Sequence, residues 1–430
     1  MLMNNPLPSS RWARLIPIVF VTYSLAFLDR SNYGFGAASG LTQALHITGA
    51  ASSLLGALFF LGYFFFQIPG AHYAEKYSAK KLVFWALILW GILASLQGVI
   101  QNIPLLFADR FLLGVVESVV MPAMLVFISH WFTNHERSRA NTFLILGNPI
   151  TVLWMSVISG YLVQWFHWQG MFILEGIPSI IWAFVWWALV SDRPANASWL
   201  TKDEQDAVIS TLAEEQKGLQ QIKNYRDAFS SRPVVLLALQ YFFWSIGVYG
   251  FVLWLPSMIK SASHFGIIST GWLSSVPYLL ATILMIGSSF LSDRRPSSRK
   301  THVWVSLLIG AIAFYASYLL GSGHFTWSFI LLVIAGGTMY APYGPFFAII
   351  PDILPSNVAG AAMALINGMG ALGSFVGSYF VGYLNSVTNS PDASYAFMAL
   401  SLVASVVLTM VVRVRKENLV TTPTQGHVIQ

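Results

Sequence analysis

Four charged residues lie inside long apolar runs and are the residues most able to do chemistry. Asp29 and Arg30 end the run FVTYSLAFLDR, and Arg110 and Glu117 begin and end the run RFLLGVVE. Arg110 and Glu117 are seven positions apart, so two turns of helix place them on one face. Asp29 and Arg30 are adjacent and point about 100° apart, so we expect them to face different surroundings.

These residue types together predict the binding of an organic anion that moves with protons. An arginine guanidinium can donate two parallel hydrogen bonds to a carboxylate. A carboxylate that gains and loses water as a cavity opens and closes can exchange a proton. The alternative is a pair of buried salt bridges that only hold two helices together, but desolvation often cancels the attraction in such pairs.

Uncharged polar residues in other apolar runs are candidates to complete a cavity. Tyr63 and Tyr343 lie within apolar runs, Asn148 precedes a proline, and Asn367 belongs to a glycine-rich run. Each is equally consistent with a hydrogen bond that packs two helices. Glu175, early in a further run, is interpreted as a structural residue at the outer interface and is not placed in the site.

The elements that must position these residues are membrane helices. Of 430 residues, 56% are apolar and 9% are charged, whereas a soluble domain has about 25% charged residues. Apolar runs of about 20 residues, the length that crosses the hydrocarbon core, recur along the chain. An all-α integral membrane protein of twelve transmembrane helices is therefore predicted. The predicted spans are 15–35, 51–71, 82–100, 104–129, 140–162, 171–190, 233–255, 268–291, 303–321, 326–349, 358–384 and 393–412.

One long polar stretch divides the chain into two halves. We predict a six-helix bundle over residues 1–190, a cytoplasmic linker over 191–232, a second six-helix bundle over 233–413 and a cytoplasmic tail over 414–430. Within the linker, TKDEQDAVISTLAEEQK has helical spacing and mixed charge, which favours a helix outside the membrane.

The loops after the second and eighth predicted helices are similar in charge. The first contains Glu75, Lys76 and Lys80, and the second contains Asp293 and Arg294. An acid followed by bases at equivalent positions indicates two copies of one six-helix unit, a known transporter construction. We expect these residues to act in gating, although two unrelated basic loops would give the same pattern.

The distribution of basic residues predicts the orientation. With the N-terminus in the cytoplasm, all but three of the 23 lysines and arginines fall on the cytoplasmic side; the exceptions are Arg30, Arg110 and Lys260. This bias follows the positive-inside rule and places both termini in the cytoplasm. The net charge of +6 is thus a topology signal, and no nucleic-acid partner is expected.

Several kinds of chemistry have no support in the sequence. The chain has no cysteine, no Gly-Lys-Ser/Thr phosphate loop and no histidine–carboxylate set with metal-ligand spacing. We therefore predict no enzyme activity, no metal and no cofactor. The expected partners are a small organic anion, protons and the lipid bilayer of the inner (plasma) membrane, and the expected state is a monomer.

On these features the chain resembles the major facilitator superfamily. The stretch from Ala71 to Lys81 is similar to the signature loop of that family after helix two, and Ser292-Asp293-Arg294 is similar to its second copy. The segments FLDRSN and RFLLGVVE resemble the anion:cation symporter family within it, as do WF followed by ERSRA and the stretch around QIP after Tyr63.

The resemblance implies a function and roles for the four charged residues. Arg30 would bind the substrate carboxylate, Asp29 and Glu117 would be protonation sites, and Arg110 would pair with these acids and tune them. The protein would be a proton-coupled symporter that imports its substrate by alternating access.

The resemblance also implies a substrate class, because bacterial members often carry sugar acids. An aldonate or ketoaldonate such as 2-ketogluconate, or a hexuronate, is expected. Tyr63 and Asn148 would bind sugar hydroxyls, and Tyr343 and Asn367 complete the predicted substrate site.

Two rival functions are considered. A drug or metabolite exporter of the same superfamily is disfavoured, because LGNPIT (residues 146–151) lacks the paired glycines of the antiporter signature and four buried charges suit an anion better than a lipophilic drug. A membrane sensor that binds solute without transport is disfavoured because the linker and tails offer no signalling domain.

Overall fold

The computed structural model describes residues 7–217, 232–263, 265–353 and 356–412, and within these ranges the chain is helical without a β-strand. Eleven helical segments there are long and apolar enough to cross a membrane. The longest, Asn134–Leu189, contains His167 at φ 57° and ψ −179°, outside the helical region. His167 therefore separates two spans, and the described chain contains the predicted twelve.

The helices extend beyond the predicted spans at most ends, and three of them consist of two consecutive segments. The helices are numbered one to twelve in chain order. Helices one to six, in the first half, are Ser10–Ser31 continued by Tyr33–Ala38; Gly49–Tyr73; Ala79–Leu96; Ile103–Glu117 continued by Val120–Trp131; residues 134–166; and residues 168–189. Helices seven to twelve, in the second half, are Arg232–Ser263; Ile267–Arg294; Arg299–Leu320; Phe325–Tyr340 continued by Tyr343–Ile353; Ser356–Thr388; and Asp392–Val411.

Local sequence signals fix several helix starts. The Asn102 side chain accepts a hydrogen bond from the Leu105 N–H at 3.0 Å, with a proline in the first turn. Thr133 and Glu136 form a reciprocal capping box at the start of the fifth helix. These caps satisfy backbone donors that have no partner inside the helix.

The helix packing repeats between the two halves. In the first half, helix two packs on helix four and helix three packs against the hairpin of helices five and six. The corresponding pairs of the second half, eight with ten and nine with twelve, pack in the same way. The repeated pattern agrees with two copies of one six-helix unit.

The halves meet through two equivalent contacts, helix two with eleven and helix eight with five. We call the side of the bundle where helix one begins the linker face and the opposite side the far face. On the far face Lys260 Nζ donates to the Ala38 carbonyl at 2.6 Å, and a side chain at Gly271 would meet the Ser156 carbonyl at 2.5 Å. The far face is therefore closed.

The polar stretch between the halves contains the predicted helix, which spans Lys202–Lys217. Trp199 in front of it stacks on Trp131 at the end of helix four, with ring centroids 5.3 Å apart. Residues 218–231 of the predicted linker and the predicted tail over 414–430 lie outside the described residues. The division at 190, 232 and 413 stays a prediction.

Candidate substrate-binding site

A cavity lies between the two halves at the level of Arg30. It has a volume of about 40 Å³, room for only a few water molecules. Helices one, two, five, seven and eleven line it. The lining residues are Tyr23, Arg30, Phe60, Tyr63, Asn148, Tyr241, Ser245, Tyr249, Asn367, Gly370, Ala371 and Ser374.

Arg30 is held between a carboxylate and three aromatic rings. Its Nη2 lies 3.4 Å from Glu117 Oε2, and its Cζ lies 4.5 Å from the centre of the Tyr63 ring. Phe27 and Phe59 lie 5.2 and 5.5 Å away. Its Nε has no protein partner in the described part of the chain. The guanidinium is thus fixed in place, and its Nε retains the capacity to donate a hydrogen bond.

Arg110 and Asp29 form a second group behind Arg30. Arg110 Nη1 donates to Gln97 Oε1 at 3.0 Å and to the backbone carbonyl of Asp29 at 3.4 Å. The sequence predicted that Arg110 would pair with the acids, but Glu117 bonds instead to Arg30. Arg110 interacts with Asp29 and Glu117 electrostatically, without a direct ion pair among the described residues.

Three of the four predicted uncharged ligands line the cavity. Tyr63 lies under Arg30, and Asn148 has an Oδ1 atom without a partner in the described ranges. Asn367 Nδ2 donates across the halves to Gln67 Oε1 at 2.6 Å. Tyr343 is the exception, because it is buried beside Trp244, with ring centroids 4.5 Å apart, and does not line the cavity. Tyr343 instead packs behind Tyr241, whose ring lines the cavity.

Helix seven supplies lining residues that the sequence reasoning missed. Tyr241, Ser245 and Tyr249 are spaced four apart and fall on one face of that helix. Ser374 lies seven positions after Asn367 on helix eleven and also lines the cavity. The four-residue spacing was the available signal, but a packed helix face gives the same spacing.

Glu175 does not line the cavity, and its interpretation as a structural residue at the outer interface stays a prediction. Its side chain is buried in the first half, with 3% of its surface exposed. Oε2 accepts a hydrogen bond from Asn32 Nδ2 at 3.0 Å, and Oε1 accepts one from Ser159 Oγ at 2.6 Å.

The predicted gating residues lie on the linker face, away from the cavity lining. Glu75 and Lys76 are exposed in a short π-helix, Ala74–Ser78. The Lys80 backbone N–H donates to Asp192 Oδ1 at 3.1 Å. Asp293 pairs with Arg299 at 3.2 Å. Arg294 Cζ lies 4.4 Å from the centre of the Phe290 ring. Their gating role stays a prediction.

A bundle of twelve membrane helices in two similar halves, with a polar cavity between them, defines a multi-pass membrane transporter. The sequence profile described as Major Facilitator Superfamily matches residues 19–378. A protein of Agrobacterium vitis named "Putative tartrate transporter" is 31% identical, over 93% of this chain and 89% of that protein. The chain belongs to the Major Facilitator Superfamily.

Other relatives are named for other functions. A "Quinolone resistance transporter" of Acinetobacter baumannii is 28% identical, over 94% of both chains. Among solved structures, a bacterial homologue of the human lysosomal transporter Spinster, inward-facing and unoccupied, matches with a TM-score of 0.72 at 18% identity. The match covers 94% of this chain and 96% of that one, and it concerns the fold.

Proposed function

We propose that this protein is a proton-coupled symporter that imports a small organic anion, a sugar acid. The observation that carries the proposal is Arg30, a buried guanidinium at the cavity. Its Nε has no partner among the described residues, while Glu117 occupies Nη2. A substrate carboxylate entering the cavity meets a fixed cation there. The relatives named as tartrate transporters support an anionic substrate.

Competition for Arg30 provides the coupling. While Glu117 is ionised it holds Arg30, and the substrate carboxylate has to compete with it. When Glu117 takes up a proton its hold on Arg30 weakens, and the guanidinium becomes available to the substrate. Proton binding and substrate binding therefore favour each other, which is the requirement for symport.

The composition of the cavity supports a hydroxylated acid with one carboxylate. Among the described lining residues, Arg30 is the one charged side chain. The uncharged polar lining residues offer tyrosine and serine hydroxyls and the side-chain amides of Asn148 and Asn367. A sugar acid such as 2-ketogluconate or a hexuronate presents one carboxylate and several hydroxyls. Such a molecule can pair its carboxylate with the one cation and its hydroxyls with the neutral hydrogen-bonding groups.

Alternating access provides the route. The positive-inside rule makes the linker face cytoplasmic, and the closed far face is then the outer one. A cavity of about 40 Å³ is too small for a six-carbon acid, so binding needs the halves to separate. On the cytoplasmic side this requires the Asn367–Gln67 hydrogen bond to break.

An uptake screen in proteoliposomes tests the proposal. Labelled gluconate, 2-ketogluconate, glucuronate and tartrate are offered with and without an inward proton gradient. We expect gradient-dependent accumulation of at least one sugar acid, which Arg30→Ala abolishes and which the loop variant Arg294→Ala slows without abolishing. Uptake that ignores the gradient, or that survives in Arg30→Ala, contradicts the proposal.

Export of a drug is a second candidate, favoured by the relative named for quinolone resistance. The same vesicles separate the two functions. An exporter in this membrane moves a quinolone in exchange for protons and leaves the sugar acids untouched. A quinolone also carries a carboxylate that Arg30 could bind, but its ring system is largely apolar. The tyrosine, serine and asparagine side chains that line the cavity therefore favour the hydroxylated sugar acid.

A further inference from the structure

Glu175 is a buried carboxylate that the proposed mechanism does not use. Both of its oxygens accept hydrogen bonds from neutral groups, Asn32 and Ser159. Within the described ranges no lysine, arginine or histidine forms an ion pair with it. A carboxylate buried without a cation is costly while it is ionised, so protonation is the simplest way to keep Glu175 in this place.

The charge balance of the first half points the same way. Leaving aside Arg11, which pairs with Glu136 on the linker face, the buried charged residues in the described chain comprise four carboxylates and two guanidiniums. They are Asp29, Asp109, Glu117, Glu175, Arg30 and Arg110. With every group charged, this interior would carry two uncompensated negative charges. Asp29 and Glu117 are assigned to coupling above, and Glu175 is a further site able to hold a proton.

Glu175 is connected to the closure of the far face. Its partner Asn32 lies in helix one between Ser10–Ser31 and Tyr33–Ala38, with helical dihedral angles and with its backbone N–H bonded to the Leu28 carbonyl. The second segment forms the far-face contact with helix seven, where Lys260 Nζ donates to the Ala38 carbonyl. The position of the segment that closes the far face is thus tied to the Glu175 carboxylate.

We propose that Glu175 is a further proton-carrying residue of the transport cycle, and that its protonation favours closure of the far face through Asn32. The proposal rests on the proposed function, in that the cycle is proton-coupled. The closed far face buries Glu175, and burial favours the neutral carboxyl. Opening that face admits water, which favours the ionised form.

The residues around Glu175 make it the titratable group at its contact with Asn32 and Ser159. Among the described residues, the carboxylate of Asp29 in helix one interacts electrostatically with Glu175, and Arg110 of helix four interacts with Asp29 in turn. Helix five contributes Ser159, and helix three contributes Ser95, which donates to the Ile173 carbonyl. Neither serine titrates in the physiological range.

A single introduced thiol reports closure directly. The chain contains no cysteine, and Ser53 is buried in the far-face contact, 1% exposed and next to Gly382 of helix eleven. Detergent-purified Ser53→Cys protein is labelled with a maleimide from about pH 5 to about pH 8, and each rate is divided by that of free cysteine. We expect labelling to rise at least about fivefold as Glu175 ionises, the lower end of typical coupling between sites.

Two matched variants decide the result. In the Ser53→Cys background, Glu175→Gln mimics the protonated carboxyl and should lose more than half of the pH-dependent rise. Ser159→Ala removes one of the same hydrogen bonds but keeps the carboxyl, so it should keep the rise. Equal effects of both variants, or an unchanged rise in Glu175→Gln, overturn the proposal.

Further variants separate this proposal from the one on which it rests. The labelling needs neither substrate nor gradient, so a failure of symport would not change it. If Asp29→Asn alone removes the rise and Glu175→Gln keeps it, proton coupling stands and the role of Glu175 falls. Should Glu175→Gln not fold, Asn32→Ala keeps every carboxyl but cuts the link, and it must lose the rise.

Discussion

Replacing Glu117 by glutamine is expected to uncouple transport from protons while substrate exchange persists. Glu117 is fully buried and its Oε2 lies 3.4 Å from Arg30 Nη2. Glutamine has nearly the same shape and no charge, so it imitates the protonated carboxyl. Arg30 is then always available to a substrate carboxylate, whether or not a proton has arrived.

The distance between the two groups limits the size of the effect. Two unit charges separated by 3.4 Å attract by about 5 kcal/mol at an effective dielectric constant of about 20. This is the most that the ionised carboxylate can withhold from the substrate. Arg110 also interacts with Glu117 and partly offsets its negative charge. We therefore expect a coupling between proton binding and substrate binding of about 1–3 kcal/mol, or about 5- to 150-fold in affinity.

Paired transport measurements in reconstituted vesicles test this expectation. Glu117→Gln and its companion Asp29→Asn should lose proton-driven accumulation, and at least one should retain counterflow exchange. Glu136→Gln is the matched control, because it also removes a carboxylate paired with an arginine but lies outside the cavity. Its ratio of driven uptake to exchange should equal that of the parent. If both site variants accumulate substrate like the parent, these carboxylates are structural and the symport mechanism is refuted.

Three further predictions follow from the same contacts. Arg30→Lys should lose much of the substrate affinity in a binding titration although it keeps the charge, because one ammonium cannot form the two-pronged contact; unchanged affinity contradicts this. Lys76→Ala and Arg294→Ala should slow transport in vesicles and leave equilibrium binding nearly intact, and a large loss of affinity would mean that the site is misplaced. Burial raises the pKa of Glu136, but hydrogen bonds from Arg11 and from its own helix cap outweigh this and lower the pKa. The stabilisation of the fold by Glu136 should therefore be present at neutral pH and lost as the pH falls below the ordinary pKa of glutamate. Glu136→Gln should reduce the free energy of unfolding by about 1–3 kcal/mol, measured by thermal unfolding.

The sequence predicted the fold well because hydrophobic length is a physical requirement of the bilayer. A run of about 20 apolar residues has few alternatives to a spanning helix, and the twelve-helix prediction is confirmed. What the pattern does not fix is where each helix ends. The seventh helix continues to Ser263 and the eighth to Arg294, beyond the predicted spans 233–255 and 268–291.

The site was predictable only where a residue type was costly. Asp29, Arg30, Arg110 and Glu117 stood out because burying a charge in a membrane requires a reason. Tyrosines carry no such signal. Tyr241 lines the cavity and Tyr343 packs behind it, but both belong to apolar helices. Deciding between them requires the rotation of each helix, which arises from packing.

The unequal distribution of charge between the halves is central to the proposed mechanism. Arg30 and Glu117, the competing pair, both belong to the first half, whereas helix seven of the second half contributes neutral Tyr241, Ser245 and Tyr249 to the cavity. When the halves move apart, a bond within one half persists and a bond between halves breaks. The competition between Glu117 and the substrate for Arg30, which protonation of Glu117 relieves, can therefore operate in both the outward-open and the inward-open states. The hydroxyls of helix seven close on the substrate only when the halves approach each other. A symporter needs this division, because the coupled ions must be sensed on both sides of the membrane while the substrate is enclosed only in transit.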